Sequence, residues 1–300
     1  MEKQTNIIRL ANGYHVWTRK VGESPIKVLL LHGGPGLTHE YLENFQDYLL
    51  PEGIELYFYD QLGSYFSDQP DEPELWTIER FCEEVEEVRV GLGLDDFYLY
   101  GHSWGGMLAI DYALKYGEYL KGLIISSTTA SMESWDKHLL ELRNSLPPDV
   151  IERMDVLEQL EKTDAKEYLE LYWNYFGKKY ICRTESMPEA VVRSEARINE
   201  QITEILLGTA AFEVNGLLRD WNRWDVLQNI DIPSLVITGR FDTMRSTEIE
   251  EMARLLPMSR SAICENGSHL TMWDEPDIYF RHLITFFKRC RGWELPNRII

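Results

Sequence analysis

The first 127 residues alternate between short apolar runs and segments whose apolar residues recur at helical spacing. Continuous apolar runs of this kind are typical of strands buried on both faces of a parallel sheet. They predict strands at 27–31, 54–59, 97–100 and 123–126, with helices at 38–50 and 77–92 and another that ends near 116. Asn12-Gly13 lies between two strand-like runs and predicts a hairpin near the start of the chain. The alternation indicates an α/β fold with a mostly parallel, doubly wound sheet.

The pattern changes between about residues 128 and 224, where helical spacing prevails and no strand-like run occurs. Helices are predicted here at 135–144, 149–162, 165–175 and 188–207. The alternation then resumes, with strands at 234–238 and 261–264 and helices at 247–256 and 278–289. A helical block between two stretches of one sheet is best explained as an insertion. We therefore predict a core domain of residues 1–127 and 225–300, with residues 128–224 inserted as a helical cap.

The composition limits the partners that this chain can have. Its formal net charge is −20 over 300 residues, which repels phosphate backbones and anionic lipid surfaces. We therefore expect no nucleic-acid partner and no membrane partner. The acidity favours solubility, although attraction of a cationic substrate is a second explanation. No segment approaches the roughly 18 unbroken apolar residues that a membrane span needs.

The N-terminal segment and the cysteines indicate the compartment. The segment MEKQTNIIRL lacks the apolar run and the small-residue cleavage site of a secretory signal peptide. The four cysteines, at 82, 182, 264 and 290, form no C-x-x-C pair, and their spacing requires no disulfide. We expect a cytoplasmic protein that uses neither thiol catalysis nor a thiolate-bound metal.

A serine flanked by glycines follows the strand predicted at 97–100. Residues 101–105, Gly-His-Ser-Trp-Gly, match G-x-S-x-G, in which a strained turn between strand and helix exposes the serine hydroxyl. The pentapeptide often occurs by chance, but its position between a predicted strand and a predicted helix indicates that Ser103 is a nucleophile. A serine here argues against epoxide hydrolase and dehalogenase chemistry, because those reactions need a carboxylate nucleophile.

Acyl transfer also needs donors for the oxyanion that develops on the substrate carbonyl. The helix that follows Ser103 offers the Trp104 N–H. A second donor should come from the loop after an earlier strand, where residues 32–36 read His-Gly-Gly-Pro-Gly. Glycines let the backbone approach the substrate closely, so we predict Gly34 as the second oxyanion donor and Gly33 as a substrate-binding residue.

The remaining catalytic groups should follow Ser103 in the chain order acid, then histidine. Among seven histidines, His269 follows the last predicted strand, at the carboxyl end where catalytic groups of parallel sheets gather. Asp242 follows the preceding strand and is the predicted acid, with Glu265 as its rival. His269 would accept the Ser103 proton while Asp242 fixes the imidazole tautomer. An acyl-enzyme would then form and be hydrolysed by water.

Four motifs occur together: HGGPG at 32–36, Tyr-Asp-Gln at 59–61, GHSWGG at 101–106 and Gly-Ser-His at 267–269. With them, nearly the whole chain resembles the prolyl aminopeptidases, also called proline iminopeptidases, a family that includes the archaeal tricorn-interacting aminopeptidase. HGGPG with Tyr-Asp-Gln is far more specific than G-x-S-x-G. The resemblance implies an α/β-hydrolase fold with a helical cap. It also implies release of an N-terminal residue, often proline, from peptides, with no metal and no cofactor.

One part of that family's pattern is absent from this sequence. Family members hold the free amine of the substrate with carboxylates from the cap and from the position after the catalytic aspartate. Here that position is Thr243, and the family's cap glutamate falls on Ala211. Glu213, two positions later, either replaces it as a substrate-binding residue or faces solvent. An ammonium group without a partner is costly to desolvate, so this difference concerns amine recognition rather than the hydrolase chemistry.

These observations leave three functions to compare. The first is a serine hydrolase that releases an N-terminal residue, with proline favoured, from short peptides or amino-acid amides. The alternative is a small-molecule amidase, esterase or lactonase without free-amine recognition, which Thr243 and Ala211 make plausible. The third is a catalytically silent receptor on the same fold, and the set of Ser103, Asp242 and His269 argues against it.

Overall fold

One eight-stranded sheet forms the centre of the computed structural model, which describes residues 3–290. The strands are β1 (Lys3–Arg9), β2 (His15–Val21), β3 (Lys27–Leu31), β4 (Glu55–Tyr59), β5 (Phe97–His102), β6 (Leu120–Ser126), β7 (Ser234–Gly239) and β8 (Ser259–Cys264). They lie in the order β1-β2-β4-β3-β5-β6-β7-β8. β1 and β2 form the predicted hairpin, β2 pairs with β4 in antiparallel fashion, and the remaining pairs are parallel. This order confirms the mostly parallel, doubly wound sheet.

Helices connect most of these strands. The α-helices are α1 (Phe45–Leu49), α2 (Ile78–Leu92), α3 (Trp104–Tyr116), α4 (Met132–Asn144), α5 (Pro148–Gln159), α6 (Lys166–Leu171), α7 (Lys178–Tyr180), α8 (Glu189–Glu195), α9 (Glu200–Leu206), α10 (Ser246–Leu255), α11 (Thr271–Asp274) and α12 (Pro276–Cys290). Turns of 3-10 helix span His39–Leu42, Leu50–Glu52, Pro73–Leu75, Gly117–Tyr119 and Trp224–Asn229, and a π-helix spans Tyr172–Gly177. Helices α4 to α9 all lie between β6 and β7, where the sequence predicts the insertion.

The apolar runs of the strands are buried because both faces of the sheet are covered. In β3, Leu29 and Leu31 pack in a cluster that includes residues of α2, α3 and α10. Val28 and Leu30 point to the opposite face and pack with residues of α1 and α12. Successive side chains of a strand point to opposite faces, so a strand between two helical layers needs apolar residues at every position.

The segment of residues 128–224 has a hydrophobic core of its own and sits on the loops at the carboxyl edge of the sheet. Its core includes Met154, Phe176 and Phe212, all from within the segment. Its two ends are joined by an isolated β-bridge between Ser131 and Asn222. The segment thus has a packed core separate from the two core clusters that cover the faces of the sheet.

Local structure in this segment departs from the predicted helices at two places. The helix predicted at 188–207 is divided into α8 and α9, because Asn199 has an extended backbone and its side chain accepts a hydrogen bond from Ile202 N. The helix predicted at 165–175 ends at Leu171 and continues as the π-helix. Elsewhere the helix predicted at 38–50 consists of a 3-10 turn followed by the short α1.

Two further expectations from the sequence concern membrane spans and cysteines. Within residues 3–290 no helix combines the length and the apolar character that crossing a membrane would require. All four cysteines are free thiols, and three of them are buried.

The close packing of α3 on β3 gives a stability prediction. A Cβ atom at Gly105 would lie 2.3 Å from the Leu31 carbonyl oxygen and 2.6 Å from that of His32. Neither backbone oxygen can move without displacing the strand, so we expect Gly105→Ala to lower the free energy of unfolding by about 3 kcal/mol. Urea denaturation measures this change.

Gly53→Asn is the matched control, since a Cβ at Gly53 would meet no heavy atom within 4 Å and asparagine tolerates its left-handed backbone. It should change stability by less than about 1 kcal/mol. Equal stability of Gly105→Ala and the wild type would show that α3 does not need to approach β3 this closely.

Candidate active site

Ser103 lies in a strained turn between β5 and α3. Its backbone has φ 56° and ψ −123°, a conformation that residues with a Cβ rarely adopt. The turn is tight enough that a Cβ at Gly101 would lie only 2.1 Å from the Gly105 carbonyl oxygen. Ser103 N donates to Ser126 O on the neighbouring β6 at 3.0 Å, which fixes the turn against the sheet. The two glycines of the pentapeptide are therefore steric requirements of this geometry.

The loops after β7 and β8 bring Asp242 and His269 together. His269 Nδ1 lies 2.8 Å from Asp242 Oδ1. Thr238 Oγ1 donates to the other carboxylate oxygen at 2.5 Å, and Met244 N donates to Oδ1 at 3.0 Å. Burial alone would raise the pKa of Asp242, but His269 and these hydrogen bonds outweigh it and lower the pKa to about 2.

An ionised Asp242 only accepts hydrogen bonds, so the Nδ1 of His269 must carry the proton. The Nε2 of His269 is then free to accept one, which is the tautomer that a general base needs. Ser103 and His269 line the same cavity. The rival acid, Glu265, is exposed and forms a bidentate ion pair with Arg240, at 2.7 and 3.0 Å. The geometry favours Asp242 as the partner of His269.

The predicted oxyanion donors lie on both sides of Ser103. Gly34 and Trp104 line the same pocket as the serine, and in the described part of the chain neither N–H donates to a protein acceptor. Gly34 has φ 116°, which only glycine adopts readily. The N–H of Gly33, in contrast, donates to the Tyr41 hydroxyl at 2.6 Å, so it is not available to a substrate. Gly33 lines the cavity and leaves space there, since a Cβ would lie 3.0 Å from that of Ser103.

Gln61 joins the two segments that carry these donors. Its side-chain amide donates to the His32 carbonyl at 3.0 Å and accepts from Trp104 Nε1 at 2.8 Å. Its backbone N–H donates to His32 Nε2 at 3.1 Å. The side chain is 1% exposed, so water does not compete for these bonds. The Tyr-Asp-Gln motif therefore holds residues 32–36, called the glycine loop, at a fixed position relative to the first turn of α3.

A second buried connection runs from the glycine loop to the loop after β8 that carries His269, which is called the histidine loop. The Tyr41 hydroxyl accepts from Gly33 N, so it donates to His102 Nδ1, 3.0 Å away. His102 Nε2 then carries the proton that it donates to the His269 carbonyl at 2.9 Å. Burial and the nearby His269 lower the pKa of His102 to about 3, so the ring is neutral and each hydrogen bond has one direction.

Two cavities meet at Ser103. The inner pocket is narrow, with room for about one water molecule. Its lining contains no carboxylate and no cation, and it includes Met107, Met132, Met244, Trp104, Trp135 and Leu207. The outer cavity, of about 220 Å³, lies on the side of His269 and is lined mostly by apolar residues, such as Leu37, Ile181 and Ile198. Among the described residues that line this cavity, Glu195 is the one with a carboxylate side chain.

Glu195 was not identified from the sequence. It is the last residue of α8, and its carboxylate forms no ion pair within residues 3–290. The neighbouring arginines are engaged elsewhere, since Arg193 and Arg197 both pair with Glu40. Desolvation at the cavity wall raises the pKa of Glu195. Only the three-dimensional packing of α8 against Thr38 and the 3-10 turn at His39–Leu42 brings this residue to the cavity, so no local motif could have indicated it.

The structure does not bring Glu213 to either cavity. Phe212 inserts into the core of the helical segment, with its ring centroid 5.0 Å from that of Phe176, and this turns Glu213 outward into solvent. Ala211 lies on the same outer face. Thr243, where the resembling family has a carboxylate, is directed at Asp242, with its hydroxyl 3.3 Å from Oδ1. Of the two possibilities that the sequence leaves open for Glu213, the geometry favours solvent exposure.

Metal ligands are not clustered in the described part of the chain, where no group of three or more His, Cys, Asp or Glu side chains could hold an ion. Ser103 and His269 line one cavity, Asp242 is bonded to His269, and the backbone N–H groups of Gly34 and Trp104 lie at the neighbouring pocket. This arrangement suits nucleophilic acyl transfer.

The sheet with its strained serine turn defines the class of α/β hydrolases, and a family model described as the alpha/beta hydrolase fold matches residues 27–276. The chain is 41% identical over 277 residues to a proline iminopeptidase of Flavobacterium johnsoniae, covering 91% of this chain and 93% of the relative. It belongs to the proline iminopeptidase family. A proline iminopeptidase of Elizabethkingia meningoseptica is 40% identical over 281 residues, covering 92% and 94% of the two chains. The crystal structure of VinJ matches with a TM-score of 0.90 and 31% identity, covering 96% and 99%.

The role of Gln61 in positioning the donors can be tested by Gln61→Met, which keeps the side chain's length but removes its hydrogen bonds. The His32 carbonyl and the Trp104 indole would each lose a partner, and both donor segments would gain freedom. For every substrate that the wild type hydrolyses, we expect kcat to fall about tenfold with little change in KM. Steady-state kinetics measures both values. Gln46→Met is the control, because Gln46 is half-buried on α1 and lines neither cavity. An unchanged kcat in a folded Gln61→Met variant would contradict a positioning role.

Proposed function

We propose that this chain is a serine hydrolase that releases an N-terminal residue, with proline favoured, from short peptides or amino-acid amides. The observation that carries the proposal is the meeting of Ser103 and His269 at one cavity, with Asp242 bonded to His269. Membership in the proline iminopeptidase family supports the reaction and the substrate class. We also propose a cytoplasmic location, which the free cysteine thiols support.

The proposed mechanism uses three side chains and two backbone N–H groups. His269 Nε2 accepts the proton of Ser103 as Oγ attacks the carbonyl carbon, and the ionised Asp242 stabilises the imidazolium that forms. The N–H groups of Gly34 and Trp104 stabilise the oxyanion. His269 then donates its proton to the leaving nitrogen, and the C–N bond breaks to give an acyl-enzyme. Water, deprotonated by His269, hydrolyses the ester and regenerates Ser103.

We propose that residues 128–224 act as the cap of this site. Hydrogen bonds support this assignment on both sides of Ser103. Asn199 N donates to Gly36 O at 2.9 Å, which ties α9 to the glycine loop. On the other side His269 N donates to Tyr180 O at 3.0 Å, which ties α7 to the histidine loop. The cap would thus help to shape both cavities.

The mechanism indicates which cavity receives which part of the substrate. The leaving nitrogen must face His269 to accept its proton, so the leaving group would occupy the outer cavity. The acyl group would then enter the inner pocket, away from His269. The narrow apolar pocket favours small apolar acyl groups such as prolyl and alanyl. Three methionines in its wall have flexible side chains that can move to admit a ring.

A second candidate function is an amidase or esterase that does not require a free amine. It is favoured by one observation, that the inner pocket is lined by no carboxylate that could pair with the ammonium of an acyl group. The hydroxyl of Thr243 lies near Asp242 and is therefore a poor substitute.

A panel of chromogenic substrates separates the two functions. Prolyl-, alanyl- and N-acetyl-prolyl-naphthylamide and a short-chain nitrophenyl ester are compared by kcat/KM. We expect the free-amine compounds to be preferred, prolyl above alanyl, and Ser103→Ala to abolish both turnover and fluorophosphonate labelling. Equal turnover of the N-acetylated compound would favour the amidase, and an unlabelled wild type would favour a receptor.

The assignment of the inner pocket gives a specificity prediction. Met132, on α4, is 1% exposed and lines the pocket. Shortening it in Met132→Ala enlarges the pocket, so kcat/KM for leucyl-naphthylamide should rise about tenfold relative to the prolyl compound. Met154→Ala is the control, because it leaves a similar cavity in the core of the helical segment, away from Ser103. If both variants shift the ratio equally, the acyl group does not occupy this pocket.

A further inference from the structure

Glu195 occupies an unusual electrostatic position in the site. It contributes a carboxylate to an otherwise largely apolar cavity, and Ser103 and His269 line the same cavity. The Glu195 side chain is exposed, and it forms no ion pair within residues 3–290. The two nearest arginines in the chain pair with other carboxylates. Arg193 forms ion pairs with Glu40, Glu43 and Glu189, and Arg197 forms one with Glu40.

The surroundings of Glu195 also limit what can neutralise it. The lining residues nearest to it in the chain are Val191, Ser194 and Ile198, which carry no charge. The side chain remains accessible from the cavity, so a bound molecule can reach it. The partner that this carboxylate lacks within the described chain is therefore most simply supplied by the substrate.

The chemistry of the reaction places that partner on the leaving group. The group that departs must face His269, and His269 lines the outer cavity together with Glu195. The inner pocket, which would hold the acyl group, does not include Glu195 in its wall. We infer that Glu195 selects substrates whose leaving group carries a positive charge. This inference rests on the proposed function and specifies which residue is preferred after the scissile bond. Peptides with lysine or arginine as the second residue are the preferred substrates.

Paired peptides test the inference. Prolyl-lysinamide and prolyl-norleucinamide have side chains of similar length and differ by one charge, and release of proline from each gives kcat/KM. We expect the wild type to prefer the lysine peptide about tenfold, and the preference to fall with added salt. Glu195→Gln should bring the ratio close to one, and Glu195→Lys should reverse it in favour of prolyl-glutamate amide.

Glu204→Gln is the matched control. Glu204 is exposed on the adjacent α9 and lines neither cavity, so its loss should leave the lysine-to-norleucine ratio at the wild-type value. The inference is overturned if the wild type shows no preference. It is also overturned if Glu195→Gln slows both peptides equally, because the carboxylate would then act on the acyl-side amine or on the fold.

A pair of esters separates this inference from the proposed function. Acetylcholine and 3,3-dimethylbutyl acetate share shape and acyl group, but only the first has a cationic leaving group. If no proline is released from any peptide, the proposed function fails. The inference still predicts that the choline ester is hydrolysed faster and that Glu195→Gln removes the difference. Equal rates for the two esters would then overturn the inference as well.

Discussion

Backbone atoms of β3, β5 and α3 approach one another so closely around Ser103 that side chains are excluded at two positions. A Cβ at Gly101 would collide with the Gly105 carbonyl, and one at Gly105 with the Leu31 carbonyl. This approach directs the Ser103 side chain into the cavity and leaves the first N–H of α3 beside it. It also places the glycine loop after β3 next to the serine, so nucleophile and oxyanion donors share one steric constraint.

Buried neutral hydrogen bonds preserve that arrangement. Gln61 connects the glycine loop with Trp104, while Tyr41 and His102 connect the same loop with the backbone of His269. His102 is neutral, and the Tyr41 hydroxyl accepts a hydrogen bond from Gly33 N. Each hydrogen bond between Gly33 and the His269 carbonyl therefore has a fixed donor and a fixed acceptor. Groups fixed in this way need little reorganisation when charge develops at the substrate, which is the main source of electrostatic catalysis.

The sequence was sufficient for the features that depend on local pattern. The apolar run of β3 and the glycines around Ser103 could be interpreted from the sequence, because burial and steric limits act directly on those residues. The position of Glu213 could not be predicted in this way, since it depends on the packing of Phe212 inside the helical segment.

Glu195 was missed because its proximity to Ser103 results from contacts between α8 and a loop more than 150 residues away, such as Ser194 Oγ with Thr38 O. The split of the predicted 188–207 helix has a similar origin, in the bond from Asn199 to Gly36.

The helical segment is bonded to both of the loops that carry the proposed oxyanion donor and the proposed general base. Asn199 holds Gly36, and the carbonyls of Tyr180 and Ile181 hold the backbone of His269 and Leu270. Substrate range and catalytic geometry are consequently not separate traits in this protein. A mutation that reshapes residues 180–203 to admit a new substrate also pulls on the oxyanion loop or on the general base. Drift toward new specificities is therefore easiest at side chains that project into the cavities without disturbing these backbone bonds, and Glu195 and Met132 are two such side chains.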